Sequence, residues 1–271
     1  MLRSQRLSRI LEMIQSEGAV TVDSLVESLG ISPATARRDL DVLDSEGHVR
    51  RTRGGAESLG DHHLTQFHDS SLDEFGKHKI AIAKLCTMFL QPGYVIGMTG
   101  GSTVSEVANA IVEWTRQHST FSSPNSTPLL TIVTNAIDVA YRLANQANIK
   151  IVVVGGQLNQ TSFESTGPFG IHMLEQLWFD LAFIGVNGFD ENGPGTVDEY
   201  EAATNRMMVH RSNKPIVVAD SGKFGKRSFS SIGGPSAVRT VVTDSDIADE
   251  TLEKLKLDGY QIHVARLDQH E

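Results

Sequence analysis

The sequence of 271 residues has a single cysteine, Cys86, and no run of 18 or more apolar residues. One cysteine cannot form an internal disulfide, and its place in the apolar run IAIAKLCTMFL predicts a buried thiol. A membrane-spanning helix needs a longer apolar run than any present, so no membrane partner is expected. The first residues are polar and include arginine, which does not fit a secretion signal. These absences together predict a cytoplasmic protein.

Positive charge is also scarce, with 24 Lys and Arg against 33 Asp and Glu and a net charge of −9. Residues 1–56 hold eight Arg, no Lys and eight acidic residues and are neutral, so the remaining 16 basic and 25 acidic residues carry the whole −9. The chain as a whole is therefore not a nonspecific nucleic-acid binder. Arginines nevertheless gather at Arg37-Arg38 and at Arg50, Arg51 and Arg53, which allows a locally basic, DNA-binding face.

The N-terminal segment predicts a series of short helices. Apolar residues between Leu7 and Ile14 recur at the spacing of a helix with one buried face. A second helix is expected to begin at Thr21 or Asp23, either of which can cap it, and to end before Gly30, which can adopt the left-handed turn conformation.

A third helix follows at once, because Ser32 suits the N-cap and Pro33 the first helical position. Two helices joined by a short turn form a helix-turn-helix, in which the second enters the major groove by its N-terminal residues. HVRRTRGGA then predicts an extended wing that reaches phosphates or the minor groove. The predicted operator-DNA contacts are Ser32, Thr35, Arg37, Arg38, Arg51 and Arg53.

Two alternatives remain open for this segment. Arg37 and Arg38 either read bases or hold only phosphate. The module as a whole either binds DNA or serves only in protein assembly.

Residues 57–76 are polar, lack clear periodicity and predict a linker. Its histidines, His62, His63 and His68, fit solvated side chains better than metal ligands, so no metal site is predicted. From Lys77 onward, apolar β-branched runs alternate with helical patterns. This alternation predicts an α/β domain over residues 77–271, with a largely parallel sheet covered on both faces.

Polar or glycine-rich clusters follow five of the predicted strands, where ligands of such sheets bind. In the first cluster, glycines let backbone amides approach an anion at the start of a helix, and Lys223 in the last cluster is a natural phosphate partner. Neither GxGxxG followed by an acidic residue nor GxxxxGK[ST] occurs, so a sugar phosphate fits better than a dinucleotide, and no cofactor is expected. The predicted effector-binding residues are Thr99, Gly100, Gly101, Ser102, Thr103, Asn135, Gly155, Gly156, Asn187, Asp198, Glu201 and Lys223.

Several of these residues also have simpler interpretations. Lys223 could be a solvated loop lysine, and Gly155-Gly156 a simple turn. Asp198 and Glu201 could accept hydrogen bonds from sugar hydroxyls, or could only favour the first turn of a helix.

These motifs, in this order, resemble the DeoR-type repressors of bacterial sugar catabolism over nearly the whole chain. The resemblance is carried by ISPATARRDLDVLDSEGHVRRTRGGA, TGGSTVSEVA, IVTN, DLAFIGVNGFD, EAATNR and ADSGKFG. It implies a homo-oligomer, either dimer or tetramer, that binds operator DNA through a winged helix-turn-helix over residues 1–56 and responds to a phosphorylated sugar. Many members have Asp where this chain has Thr99, which implies different polar contacts and a different preferred sugar.

The larger domain is also similar to ribose-5-phosphate isomerase, which has a comparable phosphate loop, a later lysine and a glutamate base near Glu201. The isomerase has a DGADE-like acidic turn, whereas this chain has IGVNGFD, with Ile184 and Asn187 in place of the two aspartates. Losing these groups while keeping the phosphate loop implies binding without turnover. We therefore expect a transcriptional regulator, most simply a repressor, and not an enzyme. The alternative is an active sugar-phosphate isomerase with a DNA-binding appendage.

Overall fold

The computed structural model describes residues 6–7, 9–11, 13–14, 19–45, 49–52, 54–58, 75–118 and 127–267. The chain divides into two compact units, residues 1–67 and 68–271. Strand β3 runs to Ser58 and helix α3 begins at Gly76, so both extend slightly into the predicted linker. The boundaries at residues 56 and 77 remain predictions. Residue 53 and residues 59–74, with the three linker histidines, lie outside the described residues.

The N-terminal unit is a winged helix-turn-helix, as predicted. Its three strands form an antiparallel sheet in the order β1-β3-β2, and β2 and β3 form the wing. Leu25, Leu40 and Leu43 pack with Ile10 and Ile14 in the core, as the helical spacing predicts. After helical residues 6–7, 9–11 and 13–14, the elements are β1 (Ala19–Thr21), α1 (Val22–Leu29), α2 (Pro33–Ser45), β2 (Val49–Arg51) and β3 (Gly55–Ser58).

Helix ends in this unit are fixed by the residues expected from the sequence. Thr21 caps α1, since its Oγ1 accepts a hydrogen bond from the amide of Ser24 at 3.0 Å. Gly30 ends α1 with a left-handed φ of 64°. Ser32 caps α2, because its Oγ accepts a hydrogen bond from the amide of Thr35 at 3.2 Å.

The larger unit is built on a seven-stranded sheet in the order β15-β14-β12-β9-β4-β5-β6. Every neighbouring pair in it is parallel, which confirms the predicted architecture. Its elements are α3 (Gly76–Cys86), β4 (Val95–Met98), α4 (Ser102–His118), β5 (Leu130–Thr134), α5 (Ile137–Leu143), β6 (Ile149–Val153), β7 (Gln157–Leu158), β8 (Ser165–Thr166), α6 (Pro168–Leu174), β9 (Phe179–Gly185), β10 (Gly188–Asp190), β11 (Gly193–Thr196), α7 (Glu199–His210), β12 (Ser212–Val218), β13 (Ser230–Ser231), β14 (Thr240–Asp244), α8 (Asp249–Leu257) and β15 (Gln261–Ala265).

The sheet is buried on both faces. Leu181 and Phe183 of β9 belong to one apolar cluster, with residues of α3, α4 and α5. Ala182 and Ile184 belong to a second cluster, with residues of α6, α7 and α8. Since side chains alternate along a strand, consecutive apolar residues are the expected sequence of a strand covered by helices on both sides.

Two small antiparallel sheets were not predicted. One is the β7–β8 pair, which comes between β6 and α6 in the sequence. Glu164, the residue before β8, forms an isolated β-bridge with Ala136. The other consists of β10, β11 and β13. Among the described residues, no helix is both long and apolar enough to cross a membrane.

Candidate functional site

Four of the six predicted DNA contacts lie together at the start of α2. Arg37 and Arg38 are exposed in the first two turns, near Ser32 and Thr35. Arg51 lies in β2 instead, where its Nε is 2.8 Å from Oδ1 of the exposed Asp41 and its Nη1 donates to the carbonyl of Gly55. Arg53 lies outside the described residues.

An ion pair that the sequence analysis missed fixes the position of α2. Nε of Arg6 lies 2.5 Å from Oδ2 of the buried Asp39. Asp39 sits among polar residues of α2, and nothing in its spacing marks it as buried. The pair ties α2, which carries the exposed arginines, to the first helical segment of the chain, which contains Arg6.

The larger unit has a ready anion-binding feature after β4. Strands β5 and β6 lie on one side of β4 and β9 on the other, so the carboxyl ends of β4 and β9 form the switch point of the sheet, where ligands bind in such folds. Gly101 has a φ of +105°, which favours glycine, and its carbonyl accepts the first helical bond of α4, from Ser105, at 2.9 Å. The amides of Ser102, Thr103 and Val104 therefore have no partner within the helix and carry its positive dipole end.

Two lysines, on α3 and on the turn after β12, influence each other. Lys223 is half-buried in the turn Ser221–Lys223 that follows β12, and it interacts with the buried Lys79 of α3. Burial lowers the pKa of Lys79, Asp220 and Glu106 oppose that shift, and Lys223 adds to it. Glu106 lies one turn beyond Ser102 on α4, so its influence on Lys79 places Lys79 beside the first turns of that helix. Lys79 was missed because a lysine within a helical pattern gives no sign of burial.

Thr99 and Asn135 do not present their polar groups as expected. The buried Thr99 accepts a hydrogen bond at Oγ1 from the amide of Gly185, at 2.9 Å, and so joins β4 to β9. The buried Asn135 donates through Nδ2 to Oε2 of Glu164 at 3.0 Å and to the carbonyl of Ser165 at 3.1 Å. Both residues position the loop from within the protein.

Glu164 is the main functional candidate that the sequence analysis missed. Its carboxyl group packs over Gly100, since a Cβ at Gly100 would lie 2.5 Å from Glu164 Cγ and 2.7 Å from Oε1. The backbone of Gly100 lowers the pKa of that carboxyl, so the acidic group next to this backbone is one of the protein's own side chains. Burial, together with the charge of Glu201, raises the pKa of Glu164 to about 7. Gly100 is therefore not the open anion cradle that was expected.

Glu201 lies near Glu164 and is held by the same hairpin. Its Oε1 accepts hydrogen bonds from Ser162 Oγ at 2.5 Å and Asn159 Nδ2 at 3.0 Å. Burial raises the pKa of Glu201 even though these donors oppose the shift. Phe163, between Ser162 and Glu164, has a φ of 57°, an unfavourable conformation for a bulky residue that turns the chain at this point.

The other predicted residues lie elsewhere. Asp198 caps α7 through the amides of Tyr200 and Glu201, at 2.8 and 2.9 Å, which is the structural alternative for this residue. Asn187 joins the open ends of the β10–β11 hairpin by accepting a hydrogen bond from the amide of Val197 at 3.2 Å. Gly155, Gly156 and Asp198 line a cleft of about 1210 Å³. The described residues that line it do not include Thr99–Thr103 or Lys223.

A cluster beside the Ser221–Lys223 turn has groups that are able to hold a divalent cation. Single ligand atoms of His78, Asp244 and Asp246 lie within 4.8 Å of one another, and Nδ1 of His78 is 3.1 Å from Asp244 Oδ1. Burial alone would raise the pKa of Asp244, but amide donors from Ser221 and Asp246 lower it. The Asp244 carboxylate joins the Ser221–Lys223 turn to His78 of α3 through its own contacts.

Comparison with known proteins extends over both units. Residues 6–61 match the family model described as a DeoR-like helix-turn-helix domain, and residues 74–245 match the model of a DeoR C terminal sensor domain. The chain is 30% identical over 263 residues to the HTH-type transcriptional regulator GlpR of Haloferax volcanii, covering 97% of this chain and 98% of that one. It is 29% identical over 246 residues to the glycerol-3-phosphate regulon repressor of Escherichia coli, covering 90% and 92%.

Among solved structures, the chain is similar to ribose 5-phosphate isomerase A from Methanocaldococcus jannaschii. The two share 16% identity, with a TM-score of 0.39 over 55% of this chain and 54% of that one.

Proposed function

The chain belongs to the DeoR family of DNA-binding transcriptional regulators, and we propose that it represses genes of carbohydrate metabolism until a phosphorylated sugar binds its sensor domain. The relatives named as repressors support the sign of regulation. One of them is named for a glycerol-3-phosphate regulon, which supports a phosphorylated effector.

The effector proposal depends on the amides at the start of α4, which have no partner within the helix and lie at the switch point of the sheet. The amides of Ser102 and Thr103 have no partner within the helix, Lys79 lies beside the same helix, and Lys223 is close enough to Lys79 to affect its pKa. Backbone amides, a helix dipole and ammonium groups are what a phosphate dianion needs. Asp220 and Glu106 also act on Lys79, so the two lysines give this region no net positive charge, and the proposal depends on the helix-start amides with Lys223 as their cationic partner.

For DNA, we propose that α2 enters the major groove and that Arg37 and Arg38 contact it. Both arginines are exposed near the helix start, which is the part of a recognition helix that reaches the bases. Two half-sites require two copies of this helix, so the regulator acts as a homo-oligomer. The effector changes DNA binding only if it binds one arrangement of that oligomer better than another.

The same geometry favours binding over isomerisation. Ile184 is a buried residue of β9, and Asn187 joins the open ends of the β10–β11 hairpin, so neither supplies the acidic group found in the isomerase. Glu201 and Glu164 each retain the chemistry of a general base, but isomerisation also needs groups that polarise the carbonyl and the alcohol.

The test is a fluorescence anisotropy titration of the full chain against DNA from upstream of its own gene, with and without a panel of phosphorylated sugars. We expect nanomolar to micromolar binding that one class of sugar phosphate weakens. Binding that no sugar phosphate changes would contradict the effector proposal. Aldose–ketose interconversion that is lost in Glu201→Gln would establish the isomerase alternative.

A further inference from the structure

The carboxyl group of Glu164 occupies an unusual place for an acidic side chain. It lies against Gly100, in the loop that leads directly into the proposed phosphate-binding start of α4 at Ser102. It is enclosed, with 6% of the residue exposed, and Asn135 Nδ2 fixes Oε2 at 3.0 Å. Ser102 and Thr103, whose amides would hold the phosphate, follow Gly100 by only two and three residues, so the phosphate would lie close to this carboxyl group.

The groups that face Glu164 do not neutralise it. Its titration is influenced by Glu201 of α7 and Asp138 of α5, which are both acidic, and by the neutral amides of Asn135 and Gly100. None of these groups in the described part of the chain is a cation. A dianion brought next to an ionised carboxylate in a buried loop is repelled, whereas the neutral acid is not repelled and can donate a hydrogen bond.

We propose that Glu164 is a further residue of the effector site, and that its carboxyl group takes up one proton when a dianionic phosphate binds beside it. The inference rests on the proposed phosphate site at the start of α4. Effector affinity then falls as the pH rises above neutrality, and the site disfavours ligands that bring a second anionic group toward the hairpin.

The size of the effect follows from a free-site pKa of about 7. If only the protonated form accepts the dianion, affinity falls about 30-fold between pH 6 and pH 8.5, because the protonated fraction falls by that factor. Glu164→Gln keeps a carbonyl oxygen for Asn135 and Gly100 but cannot ionise. Its affinity is expected to equal that of the wild type at pH 6 and to exceed it about 30-fold at pH 8.5.

The experiment uses the full chain and two probes. Sulfate is a tetrahedral dianion that does not titrate in this range, and glucose 6-phosphate is an ester that is mostly dianionic above pH 7. Affinity is measured by calorimetry from pH 6 to 8.5 for the wild type, Glu164→Gln and the control Glu113→Gln, which removes an exposed carboxylate of α4. Titrations in two buffers of different ionisation enthalpy count the protons taken up by the wild type and need no variant.

Uptake of close to one proton per site at about pH 8 and above, lost in Glu164→Gln but retained in Glu113→Gln, supports the inference. Binding that is independent of pH in the wild type overturns it, as does weaker binding by Glu164→Gln at every pH. In both of those cases the proposed phosphate site would stand. If neither probe binds the wild type at any pH, the phosphate site itself fails, and this inference fails with it.

Discussion

Replacing Gly185 by alanine tests the close packing that shapes the effector loop. A Cβ at this position would lie 2.3 Å from the carbonyl oxygen of Gly100 and 3.2 Å from Val104 Cγ2. The first atom is backbone and cannot rotate away, so the β4–α4 loop must shift by about 1 Å to restore a normal contact. Overpacking of this kind costs about 1–3 kcal/mol. For a unit of this size, about 2 kcal/mol lowers the melting temperature by roughly 4–8 °C.

The matched control is Gly155→Ala, which adds the same methyl group at the end of another strand. No atom lies within 4 Å of a Cβ there, so we expect a change within about 0.5 kcal/mol. Thermal and urea unfolding, followed by circular dichroism, would measure both variants. Equal melting temperatures for Gly185→Ala and Gly155→Ala would refute the claim that Gly185 is required for the approach of these two loops.

Three further predictions concern charge. Arg38→Ala is expected to weaken operator binding by about 1–3 kcal/mol if Arg38 reads a base, while Arg116→Ala, an exposed change on α4, leaves binding unchanged; anisotropy at two salt concentrations separates base contact from phosphate contact. Lys223→Ala is expected to weaken sugar-phosphate binding about tenfold without changing DNA affinity in effector-free buffer, and equal loss of both activities would indicate misfolding instead. Glu164→Gln is expected to remove a pH dependence of stability. The folded pKa of about 7 exceeds the unfolded value of about 4.3, so the wild type loses about 3 kcal/mol of stability as the pH rises from about 4 to 7. Urea unfolding at pH 5 and pH 8 measures this loss, and an equal loss in the variant would contradict the assignment.

The architecture was predictable because it follows from local patterns. Continuous apolar runs identified the strands of the parallel sheet, and Gly30 and Ser32 marked helix ends through their own backbone and side-chain preferences. Such signals lie within a few residues of the feature they predict. The cap at Asp198 was visible in the same way, although its structural role was only one of two interpretations.

The interior of the site was not predictable, because its contacts join distant segments. Glu164 reaches Gly100 through a hairpin whose strands have two residues each, too short to show a period of two. Thr99 and Asn135 were the right residue types at the right edge of the sheet. The side-chain direction that turns them inward depends on pairing with β9 and with the hairpin, which no local pattern records.

We propose that Lys223 transmits the binding of an anion at α4 to the rest of the sensor domain. The turn that carries it is tied to the start of α3 by the Asp244 carboxylate, which accepts the Ser221 amide at 2.7 Å and lies 3.1 Å from His78. The ring of Phe75 packs against the same turn, since a Cβ at Gly222 would lie 2.8 Å from it. An anion that draws Lys223 toward α4 therefore acts on the contacts that fix the first turn of α3, where the chain enters from the linker. Because a ligand shifts only an equilibrium whose states it binds unequally, we predict that the position of this turn differs between the effector-bound and effector-free regulator.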